Sequence, residues 1–203
     1  ATRDWLRTAI ARGAVADARL KLAGNLAEFP FAGGKRGQFV ATAKARAVTL
    51  AYVPDWPPIE GIDAEIRLEG TRLRVDGARG FLFGVNLGKT RAEIQDVTAA
   101  VPLLTVDGEA AGPAAGFLRF VNESPVGART GKLTRDMEAS GNGRLALKLG
   151  VHLGGPEETT AVGEFALAEG QLRVPGVPTL AKVNGKLAFS EREVHGSDVA
   201  MEV

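Results

Sequence analysis

The chain has 203 residues, a net charge of +1, no cysteine and only 6% aromatic residues. That length suits one or two domains. The balanced charge and sparse aromatics argue against a nucleic-acid-binding surface, and the lack of cysteine excludes disulfides and thiolate metal sites.

The first segment with a helical pattern is at the N-terminus. Trp5, Leu6, Ala9 and Ile10 share one helical face, with Thr2 as a candidate N-cap. From there on, alternation dominates, which is the period of half-buried strands. ARLKLAG (18–24) alternates, and GGKRG (33–37) reads as a basic, solvated loop tip with lipid headgroup contact as the sharper alternative. In FVATAKARAVTLAY (39–52), Phe39, Ala41, Ala43, Ala45 and Ala47 share one phase. Val48, Leu50 and Tyr52 then carry the larger apolar groups on the other phase. A bulge near Ala47–Val48 would shift the side chains by one residue. The first half would then give small residues to a crowded place, and the second half Val48, Leu50 and Tyr52 to the main apolar surface.

GIDAEIRLE (61–69) aligns Ile62, Ala64, Ile66 and Leu68 against Asp63, Glu65, Arg67 and Glu69. GFLFGVNL (80–87) aligns Phe81, Phe83, Val85 and Leu87. The stretches EGTR, DGARG and AEGQ read as tight turns. GVNLGKT (84–90) has one residue too few between its glycines for a P-loop, and the strand-like RAEIQDV that follows leaves a hairpin turn as the reading. GPAAGFLRFVNESP is a second short helix, with Pro113 near its first turn and Phe117, Phe120 and Val121 on one face. Leu145, Leu147, Leu149, Val151 and Leu153 align in the next strand. About a dozen strands fit, at least ten, joined by short connections as antiparallel meanders.

The chain also repeats itself. Pro54, Pro57, Ile59, Ile62, Ile66, Leu68 and Leu73 match Pro175, Pro178, Leu180, Val183, Leu187, Phe189 and Val194 at a constant offset of 121 residues (175 − 54). RLALKLG (144–150) echoes ARLKLAG. The expected organisation is a helix-plus-meander unit over residues 1–113, then a similar, truncated unit over 114–203.

Catalytic chemistry finds little to use. His152 and His195 stand on polar phases without a second ligand nearby. Ser124, Ser140, Ser190 and Ser197 lack a nucleophile elbow. The pairs Glu157–Glu158 and Glu191–Glu193 read as solvated acids in turns or outward phases. No enzyme, no metal and no cofactor are expected. The apolar faces remain. They can pack as an ordinary closed β-sandwich core, in a structural or partner-binding scaffold. Alternatively they can line a curved, twisted β-groove that holds a hydrophobic ligand. Scarce helices and thinly filled, Ala- and Gly-rich apolar phases favour the groove. Its candidate lining is Val48, Leu50, Ile62, Ile66, Leu68, Phe81, Phe83, Val85, Leu145, Leu147 and Leu149. No run reaches the ~18 apolar residues of a spanning helix. The chain starts without an initiator Met and without a signal peptide, and it stops inside an alternating segment. It therefore reads as a piece of something longer.

RDWLRTAI, FPF (29–31), VTLAYVPDWPPIEGIDAEIRLEG, GPAAGFLRFVNESPVG, GRLALKL and VNGKLAFSE together resemble the YhdP branch of the AsmA-like envelope proteins of Gram-negative bacteria. YVPDWPPIEG and FLRFVNESPVG are the most specific of these stretches. The resemblance implies a very long periplasmic protein held in the inner membrane by an N-terminal helix, and similar to bridge-like lipid carriers. It further implies a continuous apolar β-groove that passes phospholipid between inner and outer membranes. The partners implied are phospholipid acyl chains, and membranes reached through parts lying outside this chain.

Overall fold

A computed structural model describes residues 9–31, 33–34, 36–129, 134–153 and 159–202. These contain one ten-stranded sheet in sequence order: β1 (Ile10–Gly24), β2 (Gly37–Leu50), β3 (Ile59–Glu69), β4 (Arg72–Leu82), β5 (Val85–Ile94), β6 (Leu103–Pro113), β7 (Glu138–His152), β8 (Thr160–Arg173), β9 (Leu180–Ser190) and β10 (Val194–Glu202). Every neighbouring pair runs antiparallel. The sheet is open, with β1 and β10 as its two edges. Two short helices, α1 (Ala114–Asn122) and α2 (Val126–Arg129), lie in the β6–β7 connection. The expected mainly β, antiparallel architecture is what forms, but of the two expected short helices only the second can be traced, as α1, and α2 lies beyond it. Of the N-terminal one, Thr2, Trp5 and Leu6 lie outside the described residues, and Ile10 already belongs to β1.

Local chemistry sets the turns. The β3–β4 hairpin turns on Gly70–Thr71 between paired Glu69 and Arg72, with Gly70 at φ +55. The β4–β5 hairpin turns on Phe83–Gly84 between paired Leu82 and Val85, with φ +51 and +80. Positive φ at both central residues is the I′ pattern whose twist matches flanking strands. GFLFGVNL is therefore a hairpin rather than one strand, and of GVNLGKT only Gly84 lies in the turn, the rest belonging to β5. DGARG and AEGQ correct the reading in the opposite direction. They lie inside β4 and β8, where the register slips by a residue instead of reversing. In AEGQ the positive φ falls on Glu169 and not on Gly170, and no residue of DGARG has one; what Gly170 supplies is room, since a Cβ there would meet Leu167.

Bulges recur in the corresponding strands of the two halves of the chain. Asp17, Ala47 and Gly61 have positive φ in β1, β2 and β3, and Gly141, Glu169 and Lys182 have it in β7, β8 and β9. Between the two sets, the β6–β7 ladder pairs Leu103 with His152 through to Pro113 with Asn142 without a slip.

Burial is shallow. Among the described residues no large side chain is fully buried, and the buried hydrophobics are mostly small, such as Ala45, Val48 and Ala64. Ile62, Ile66 and Val75 pack against those three. One face of the sheet carries this cluster. The other carries ion pairs such as Arg67–Glu69, Arg74–Asp76–Arg91 and Lys148–Asp107. Pairs this exposed contribute about 0–1 kcal/mol each. Their larger effect is to mark that side as solvated.

Candidate functional site

Directly opposed residues of an antiparallel ladder project to the same side. The pairings therefore trace one face residue by residue. Leu20, Ala41, Leu68, Leu73, Ile94, Leu104 and Val151 form a continuous row from β1 to β7. The next row runs Ala43, Ile66, Val75, Ala92, Val106, Leu149 and Ala161. A third runs Ala110, Leu145, Phe165 and Leu187 into β10. Ten strands at about 4.8 Å spacing make this apolar strip roughly 40 Å wide.

The flip in β2 now has its cause. Ala47 sits at φ +48, and the β2–β3 register slips between Ala45 and Val48. The bulge is where the alternation placed it, but its effect differs from the expected one. It brings Val48, opposite Ile62, onto the same face as Ala43 and Ala45. The two halves of β2 thus serve one surface, not two. Tyr52 lies beyond the strand, with its ring 5.9 Å from Trp56.

Of the eleven residues singled out from the sequence, Val48, Leu50, Ile62, Ile66, Leu68, Val85, Leu145, Leu147 and Leu149 share the apolar face by these pairings. Phe81 does not. It pairs with Glu60 and Asn86, is 41% exposed, and stands on the polar side. Phe83 lies in the hairpin turn, with the Arg119 guanidinium 4.1 Å over its ring. Their places differ from the aligned phase for one reason: the period of two does not carry through the turn at Phe83–Gly84. The pattern also left out Leu20, Ala41, Ala43 and Leu73, which with Ile66 and Leu68 line an apolar depression of about 430 Å³. For Leu20, Ala41 and Ala43 the signal was present in the alternation of ARLKLAG and FVATAKA, but alanine carries little weight in such a reading.

The glycines of this face are not empty space. A Cβ on Gly143 would meet the rings of Phe165 and Phe117, and one on Gly163 would meet Phe189. Aromatic rings roof the glycines, so the room expected from the composition is partly filled.

Both ends of the strands carry aromatic cover. At one end the β1–β2 connection folds Phe31, 4% exposed, over Gly24 and Gly37, and Phe29 meets Phe39 at 5.0 Å between ring centres. At the other, α1 sets Phe117 against Phe165 at 5.1 Å, and Phe120 meets Trp56 of the β2–β3 connection at 5.7 Å. The two most distinctive stretches of the sequence, around Trp56 and around Phe120, thus meet. Between these ends the middle of the apolar face has no second layer over it among the described residues. Leu20 is 67% exposed and Leu187 43%. The described residues form an open sheet and no closed β-sandwich core.

Electrostatics add one feature. Asp63 accepts a hydrogen bond from the Ala47 amide at 2.9 Å and lies 2.8 Å from Arg79. That amide first, then Arg79 and Arg46, holds its carboxyl below the usual range. The remaining sequence candidates are scattered. His195 bonds Glu193 at 3.0 Å by the β9–β10 turn, while His152 ends β7. Ser124 is buried at the start of the α2 turn, and its hydroxyl accepts from the Val126 amide. Glu157 and Glu158 lie outside the described residues, as does Lys35 of GGKRG, whose Arg36 reaches Glu28 at 3.4 Å. No group of three or more potential metal ligands occurs among the described residues. No helix there is long and apolar enough to cross a membrane.

No solved structure matches the chain. The chain is 30% identical over 194 residues to the intermembrane phospholipid transporter YhdP of Escherichia coli strain K12. That alignment covers 92% of this chain but only 14% of the relative, so the chain spans a small part of the relative's length. The family model described as YhdP protein matches residues 1–203, and the chain belongs to that family.

Proposed function

We propose that this chain is an internal section of a hydrophobic β-groove that carries phospholipid between the inner and outer membranes of the cell envelope. In this reading the groove stands in the periplasm, in a longer protein anchored in the inner membrane by a segment outside these residues. Its two units are residues 1–113 and 114–203. Its lining is the apolar face, from Val48, Leu50 and Ile62 on one side to Leu145, Leu147 and Leu149 on the other.

The observation that carries the proposal is the uncovered apolar face, kept in phase across ten strands by bulges. Burying an acyl methylene yields about 0.8 kcal/mol, and somewhat less on an open face. The gain is spread over many weak contacts. A lipid moving across the strands exchanges one apolar row position for an equivalent one, so no single position traps it. The polar headgroup stays at the open side in water, where it needs no dedicated partner. The name of the Escherichia coli relative supports the ligand class. Nothing in this role requires bond chemistry, and the reading is of a carrier rather than an enzyme.

Lipid extraction and mass spectrometry of the purified chain test it. Phospholipid recovered in near-stoichiometric amount, and displaced by competing acyl chains, is the expected result. A lipid-free chain that also fails to take up phospholipid from vesicles overturns the reading in favour of a scaffold.

A further inference from the structure

The bulges raise a physical problem. A bulge leaves a main-chain amide without its ladder partner, and the hydrophobic pattern alone does not fix at which residue the extra one is taken up. Taken up beyond Val48, it would leave that side chain on the polar side. The chain answers this problem twice in the same way. The Ala47 amide donates to Asp63 Oδ1 at 2.9 Å, and the Glu169 amide donates to Asn184 Oδ1 at 2.9 Å. In each case the donor has positive φ, and the acceptor lies one strand along, on the polar side. Asp63 and Asn184 occupy equivalent places in the sequence repeat.

We infer that Asp63 and Asn184 are positioning residues: each clips the amide of a neighbouring bulge through its Oδ1 and so sets which side chains reach the apolar face. The inference rests on the groove reading for its functional meaning, but the clip itself does not depend on a lipid. The two copies differ in an informative way. Asp63 is also gripped by Arg79 at 2.8 Å and lies 3.9 Å from Arg46, whereas Asn184 is uncharged and donates its Nδ2 to the Lys182 carbonyl at 2.8 Å. A surface ion pair accounts for the first copy but not the second. What the copies share is a short side chain with an oxygen at Oδ1, which is the chemistry that fits a stranded amide.

The test uses the whole chain, which has no native cysteine, with Val48→Cys as a reporter. Amide hydrogen exchange is read at Ala47 and Glu169, together with labelling of the introduced thiol by a charged reagent. Asp63→Ala is expected to speed exchange at Ala47 at least tenfold and to speed labelling of that thiol. Asp63→Asn is expected to restore both, because it keeps Oδ1 while losing the charge. Asn184→Asp is expected to keep Glu169 protected, and Asn184→Ala to expose it. If Asp63→Asn behaves like Asp63→Ala, or fails to fold, the ion pair is the active feature and the inference is overturned. Unchanged exchange at Ala47 in Asp63→Ala also overturns it. Should Asp63→Ala not fold, the Asp63→Asn result and the Asn184 pair still decide. Lipid uptake is measured separately. Clip results as expected with normal uptake by Asp63→Ala would count against the groove reading and leave the clip standing.

Discussion

Replacing Leu68 by aspartate puts a carboxylate in the middle of the apolar strip. Leu68 is half-buried, opposed to Ala41 and Leu73, and lines the depression shared with Leu20 and Ile66. Burying a whole leucine is worth about 1.5–3 kcal/mol, so losing half of that burial costs about 1 kcal/mol of stability. A domain with about 5–15 kcal/mol in hand stays folded. The effect on a passing acyl chain is larger. Covering an unpaired carboxylate with hydrocarbon costs several kcal/mol even after relaxation. A barrier raised by only about 3 kcal/mol slows passage by about 100-fold. The assay is phospholipid transfer by the full-length protein carrying Leu68→Asp, beside Arg67→Glu on the polar face. Arg67→Glu removes only an exposed contact with Glu69 and is expected to transfer normally. A Leu68→Asp protein that melts within a few degrees of the parent yet transfers at the parental rate would refute the assignment of Leu68 to the lipid path.

Two further outcomes test the structure itself. A Cβ at Gly116 would come within 2.5 Å of the Phe83 carbonyl oxygen, a backbone atom that cannot swing away. Gly116→Ala is therefore expected to destabilise the chain by about 1–2 kcal/mol in urea unfolding, although alanine is the better helix former; equal or greater stability would mean α1 does not sit as described. Tyr52 is the single tyrosine, and burial pushes its phenol up to about 12. Its absorbance titration is expected to centre there in the folded chain and near 10 in denaturant. The folded state holds that proton more tightly than the unfolded one, so this contribution to stability is complete below about pH 10 and is lost as the pH rises towards 12. A folded midpoint at the ordinary phenol value would place the ring in water.

Much of this protein was legible as pattern. Alternation is local, because a strand must send every second residue the same way, and so the antiparallel meander and most of the apolar face could be read from side-chain order. Ile62, Ile66 and Leu68 needed no partner strand to be assigned together. Glycine and phase breaks were legible as events but not as kinds of event, since a turn and a bulge draw on the same backbone conformations. DGARG and AEGQ became bulges, and Phe81 and Phe83 were separated by a hairpin, only when neighbouring strands fixed the register. The joining of Ala45 and Val48 on one face, the meeting of Trp56 with Phe120, and the grip of Asp63 on the Ala47 amide are contacts between distant parts of the chain. They depend on which strand lies beside which, and pairing across a sheet is the information that tertiary structure adds to a period of two.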